Sequence, residues 1–174
     1  MRSHQPSNRK LRPLAGAIAF AAFVLSAGGA GSQQPVPPPT GFEYAVKFIC
    51  GSATPAKGQP DPGVVAHGVY YTAINVHNPG KAIDFTKKIA IALPSEKAGP
   101  ISKFFVVTLK NDEALEIDCP DIVKHLEFKG PFVKGFVVIH SPTELDVVAV
   151  YTAAPSATGT VVTLELERVP ARKY

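Results

Sequence analysis

The stretch YAVKFIC, Tyr44 to Cys50, decides the fold class. Successive side chains of an extended strand point to opposite faces. Tyr44, Val46, Phe48 and Cys50 therefore share one face, while Glu43 and Lys47 share the other. The stretch LEIDC, Leu115 to Cys119, repeats the design, with Leu115, Ile117 and Cys119 on one side and Glu116 and Asp118 on the other. Each strand ends in a thiol turned toward an apolar core. These are the chain's only two cysteines, and their placement predicts a Cys50–Cys119 disulfide bridging two sheets. A blue-copper site would take one Cys, two His and usually a Met. Cys119 and His125 stand six apart, but the only methionine is Met1 and the second cysteine would be left over.

Working outward, short β-branched and aromatic runs alternate with Gly, Pro, Asn and Asp. Strands are expected at Glu43–Cys50, Val64–His77, Asp84–Leu93, Lys103–Lys110, Ala114–Cys119, Phe132–His140, Leu145–Ala153 and Thr160–Val169. Only PDIVKHLEF, after Cys119, has a helical pattern, a single turn that Asp121 could cap. About eight strands with one short helical turn predict an all-β fold, an antiparallel two-sheet sandwich of immunoglobulin-like type. In TVVTLELERV, Val162, Leu164 and Leu166 share a face opposite Thr163, Glu165 and Glu167, which reads as a strand with one wet side. FFVVTL and LDVVAVYTA are apolar on both faces, as in central strands or an end covered by another chain.

The first residues, 1–31, have the order of a secretory signal peptide: basic Arg2, Arg9, Lys10 and Arg12, an apolar run from Leu14 to Leu25, then small residues from Ser26. Cleavage is expected between Ala27 and Ser32, which leaves no membrane span, and the product is expected to be exported, periplasmic or extracellular. A Pro-rich leader (32–41), one β-sandwich domain (42–170) and a basic tail (171–174) follow. Removing the four basic residues from 18 Lys plus Arg leaves 14, against 14 Asp plus Glu. A chain of zero net charge offers no overall field for nucleic acid or anionic lipid.

Four histidines remain after the signal: His67, His77, His125 and His140. His67 and His77 have the same parity, but ten residues at ~3.4 Å each separate them by ~34 Å on an unbroken strand. They share an ion only if the strand breaks, with Gly68 the candidate point. HNPGK reads as a turn with Pro79 and Gly80 at its centre. A metal site would need histidines converging from several strands, and no close-spaced ligand pair points to one. The acidic run NDEALEIDCPD carries Asp112, Glu113, Glu116, Asp118 and Asp121, but strand residues interrupt it, so it reads as a solvated face leading to a helix cap rather than a calcium loop.

No nucleophile elbow and no phosphate-binding Gly-rich loop is present. IHSPTELD sets His140, Ser141 and Asp146 close in sequence, yet triads are assembled by the fold. No catalytic residue and no cofactor is assigned. Tyr70, Tyr71 and Tyr151 are the candidate binding residues, and an open sheet edge is the candidate route to a protein partner or to self-association.

The segments YAVKFICG, GVYYTAINVHNP, GFVVIHSPTELDVVAVYTA and LELERVP resemble small exported bacterial β-sandwich domains of no assigned activity, over about Tyr44–Pro170. The chain is also loosely similar to immunoglobulin-like sandwiches, without their core Trp and with a different cysteine spacing. The expectation is an exported, non-enzymatic binding or structural module of the cell envelope or exterior. The alternative is a periplasmic metal-binding protein using histidines from several strands.

Overall fold

The computed structural model of the chain describes residues 40–54, 58, 65–155 and 160–174. The expected signal peptide (1–31) and nearly all of the Pro-rich leader (32–41) lie outside the described residues. The expected all-β character holds: strands β1 (Phe42–Ser52), β2 (Val69–His77), β3 (Ile83–Ala92), β4 (Ala98–Ile101), β5 (Phe105–Leu109) and β6 (Ala114–Asp118) come first. Helix α1 (Cys119–Leu126) follows, then β7 (Phe132–Ser141), β8 (Asp146–Ala154), β9 (Thr163–Arg168) and β10 (Arg172–Lys173).

All ten strands belong to one hydrogen-bonded antiparallel sheet of order β4-β3-β7-β1-β2-β8-β9, with β5 also on β3, β6 also on β2 and β10 on β1. β1 pairs along its length with β7, from Phe42 opposite Ser141 to Gly51 opposite Phe132. On its other edge it pairs with β10 at Phe42 and Glu43, and with β2 only through Gly51–Tyr70 and Ser52–Val69. Between those two ends, no strand among the described residues covers that edge of β1. Thr72 closes part of the gap: its buried hydroxyl donates to Ile49 O and accepts from Ile49 N, both at 3.0 Å. Gly51 takes φ +95°, a left-handed conformation that suits glycine, and a Cβ there would meet Pro131 O at 2.1 Å.

The alternation read from YAVKFIC is the alternation observed. Tyr44, Val46, Phe48 and Cys50 join Ile74, Val76, Phe85, Ile89, Ile117, Val137, Ile139, Val147 and Ala149 in one buried cluster. Each fully buried Val, Ile or Phe among them contributes ~1.5–3 kcal/mol by leaving water. The buried Tyr44 hydroxyl donates to Leu145 O (2.9 Å) and accepts from Leu145 N (2.7 Å), tying β1 to the β7–β8 turn.

Cys50 and Cys119 form the expected disulfide, with Cα atoms 5.6 Å apart. The bond joins the end of β1 to the start of α1, and Thr72 N donates to Cys119 Sγ at 3.2 Å. The helix is longer than the single turn expected, and its cap is Asp118 rather than Asp121. The Asp118 carboxylate accepts from Asp121 N, while Asp121 occupies the reciprocal position of a capping box.

Two further expectations change. β2 begins at Val69, not Val64, so His67 precedes the strand. The Gly68 backbone is packed so closely on Ala154 that a Cβ would lie 2.9 Å from Ala154 O. β9 does not have one wet side: all six residues are exposed, because it is an edge strand with nothing over either face among the described residues. The basic tail joins the sheet at its end. Arg172 and Lys173 pair with Glu43 and Phe42, and Gly41 and Tyr174 exchange two backbone hydrogen bonds at 3.2 Å.

Candidate functional site

β2, β8 and β9 run side by side, and their register puts Thr72, Tyr151 and Glu165 in one row. Tyr70, Ala153 and Thr163 form the next row, and Ile74, Ala149 and Glu167 the row on the other side. Ile74 and Ala149 are fully buried, whereas Tyr70, Tyr151 and Glu165 are not. One face of this part of the sheet thus passes from core to solvent within two rows. Where it emerges it meets Lys47 and Ile49, on the stretch of β1 whose edge has no strand partner. The result is an open groove of about 360 Å³.

All three candidate tyrosines line this groove. Tyr70 packs edge-on against Phe132, ring centres 6.1 Å apart, and its hydroxyl donates to Ala66 O. Tyr71, next along the strand, turns the other way and donates to Asp118 Oδ2 at 2.8 Å. Tyr151 donates to Glu167 Oε2 at 2.6 Å. Burial, followed by the hydrogen bond to Asp118, pushes the Tyr71 phenol up to about 12. Burial and then Glu167 raise the Tyr151 phenol as well. Both phenols therefore stay protonated at neutral pH, as anchored donors and π faces rather than bases or nucleophiles. Burial and then the neighbouring Lys134 lower the pKa of Lys47 on the opposite wall. A ligand in the groove would find a donor at Lys47, acceptors at Glu165 and Thr163, and apolar area from Ile49, Ala153 and the rings of Tyr70 and Tyr151.

The histidines are dispersed. His67 is exposed ahead of β2. His77, at the end of β2, sets Nε2 3.0 Å from Asp112 Oδ1 and Nδ1 3.2 Å from Asp146 Oδ2. Those hydrogen bonds, Asp112 first, raise its pKa. Asp146 also accepts from Arg168 at 3.0 Å. His140 Nε2 lies 3.1 Å from Glu43 Oε2, with its ring beside Phe104 and Tyr174. His125, on α1, stacks on Phe105 at 4.0 Å, and burial followed by the charge of Lys87 lowers its pKa. Each histidine thus has its own partners, and among the described residues no group of three or more His, Cys, Asp or Glu could hold a metal ion. His140, Ser141 and Asp146 are not brought together as a triad. Ser141 Oγ is a local turn acceptor for Thr143 N, while His140 and Asp146 pair with Glu43 and His77.

Sequence reasoning missed the charged members of the groove, Lys47, Glu165 and Glu167. Their strand parity marked them as solvent-facing, and only the pairing of β9 on β8 shows what they stand beside. It also missed Asn78, a fully buried residue whose Nδ2 donates to Lys81 O, Leu109 O and Lys110 O and whose Oδ1 accepts from Gly80 N. An Asn ahead of Pro-Gly is the signal that could have found it. A disulfide of this kind persists in an oxidising, exported environment, and no helix among the described residues is long and apolar enough to cross a membrane. Comparison with protein-family models, curated proteins and solved structures finds no match to this chain.

Proposed function

We propose that this chain is an exported, non-enzymatic β-sandwich that acts as a binding or structural module of the cell envelope or exterior, with the tyrosine groove as its binding surface. The observation that carries the reading is the convergence of Tyr70 and Tyr151 with Lys47, Glu165 and Glu167 around one groove, with Tyr71 at its wall. Such a mix of aromatic area and a few polar groups is what ligand sites use. Two halves, β4/β5-β3-β7-β1 and β6-β2-β8-β9, joined at only two residue pairs and sharing one core, support reading the sheet as an immunoglobulin-like two-layer sandwich. The disulfide and the N-terminal charge order support export, to periplasm or exterior.

The test is a thermal-shift panel of short peptides, saccharides and generic ester and amide substrates. A groove ligand at 100 times its Kd stabilises the fold by ~2.7 kcal/mol, and Tyr151→Ala removes that shift without turnover being seen in either form. Turnover of any substrate by the wild type, or a shift that survives Tyr151→Ala unchanged, overturns the reading.

A further inference from the structure

The face of β1, β7 and β3 turned away from the core has a charge pattern that the chain's net neutrality hides. Residues opposite one another in an antiparallel pair share a face, so the register assembles this one row by row. Ile101, Ala90, Phe136 and Lys47 form a row across β4, β3, β7 and β1. Lys88, Val138 and Ala45 form the next, and Val106, Thr86, His140 and Glu43 the one after. Lys134, opposite Ile49, completes the far end. Three lysines from three neighbouring strands therefore stand together, and none has a carboxylate partner among the described residues. Lys47 sits over the Phe136 ring at 5.0 Å and Lys88 over Phe104 at 4.8 Å. The two acids at the margin are engaged, Glu43 by His140 and Arg172, Asp84 by Thr108.

Among the lysines stand apolar side chains that gain nothing from water: Phe136 is 39% exposed, Ile101 65% and Val106 70%. Glu116 and Asp118 lie on β6, away from this face, while Glu165 and Glu167 line the tyrosine groove at its Lys47 margin, so Lys88 and Lys134 are the lysines farther from acids. Burial, followed by the charge of Lys134, lowers the pKa of Lys47.

We propose that this outer face docks on an anionic phospholipid surface, its lysines at the headgroups and Phe136, Ile101 and Val106 in the interfacial layer. A soluble polyanion would satisfy the lysines and leave the apolar side chains wet, and a neutral bilayer would do the reverse. An anionic bilayer satisfies both. The docking is peripheral, and it shares Lys47, at its margin, with the tyrosine groove.

The test is sedimentation of the signal-free full chain with phosphatidylcholine vesicles, with and without a third phosphatidylglycerol, at low and at physiological salt. Binding is expected only with phosphatidylglycerol and weakens as salt rises. Each lysine near such a surface changes partition about fivefold, so Lys88→Ala with Lys134→Ala lowers it about 25-fold. Phe136→Ser with Ile101→Ser weakens binding while leaving its salt dependence intact. Near-UV circular dichroism checks that both double variants keep the fold; should one lose it, the single changes Lys88→Gln and Val106→Ser, on the same face, replace it. No sedimentation with anionic vesicles at low salt overturns the proposal. So does binding indifferent to the lysine variants, or binding that dextran sulfate reproduces and the Phe136/Ile101 variant leaves unchanged.

Discussion

Replacing Cys50 and Cys119 together by alanine should be the most damaging pair of changes outside the large apolar core. The bond closes a loop of sequence separation 69. The chain-entropy relation then gives ~15 cal/mol/K removed from the unfolded chain, or ~4 kcal/mol at 25 °C. Both cysteines are buried, and the bond pins α1 to the place where β1 hands over to β2. Its loss therefore also loosens the Thr72–Ile49 closure of the β1 edge. For a domain of this size ~4 kcal/mol corresponds to a fall in Tm of about 15 °C. The assay is guanidinium unfolding followed by circular dichroism, on oxidised wild type, wild type under reductant and the double variant. The last two should coincide within ~1 kcal/mol, well below the oxidised protein. Free thiols in the protein folded under oxidising conditions, or a loss below ~1 kcal/mol in both forms, would refute the reasoning.

Three other outcomes follow from single contacts. Tyr44→Phe strands both Leu145 N–H and C=O in the core and should cost ~1–3 kcal/mol by chemical denaturation. Asp118→Ala removes the helix cap, at ~1 kcal/mol, and the acceptor of Tyr71, so ultraviolet titration should show a phenol leaving its position at about 12 for a lower one. His77 has a folded pKa raised above its ordinary 6.5 by Asp112 and Asp146. Its contribution is therefore complete below 6.5 and is lost as pH rises through the folded value. His77→Gln should lower Tm at pH 6 and converge with wild type at alkaline pH, and Tm curves parallel across that range would exclude the coupling.

The strands were legible where one face is buried and the other wet, because burial writes a period of two into the chain. YAVKFIC and LEIDC gave both the strand faces and the disulfide on that basis. Ala98–Ile101 was not legible, since a four-residue edge strand containing Gly99 and Pro100 carries no pattern of its own and exists because β3 offers it partners. Arg172–Lys173 is shorter still and owes its conformation to Phe42 and Glu43. The tyrosines were legible as amphipathic strand residues, but their meeting in one groove depends on pairing between segments some 80 residues apart, as Tyr71 with Thr152. The same nonlocality hid the lysine face, because Lys47, Lys88 and Lys134 are neighbours in the sheet and in no sense neighbours in the chain. TVVTLELERV misled for the opposite reason. Its alternation is real, but the position of β9 at the sheet edge leaves both faces uncovered.

The central claim is that the groove between β1, β2, β8 and β9 is where this module binds. The most direct measurement is a set of amide spectra of the isotopically labelled chain, titrated with an extended peptide that stabilises it in the thermal panel. The account predicts shifts gathered at Tyr70, Thr72, Tyr151, Thr152 and Glu165, absent in Tyr151→Ala. Shifts gathered instead around His77, His125 or His140, with the groove silent, would contradict it.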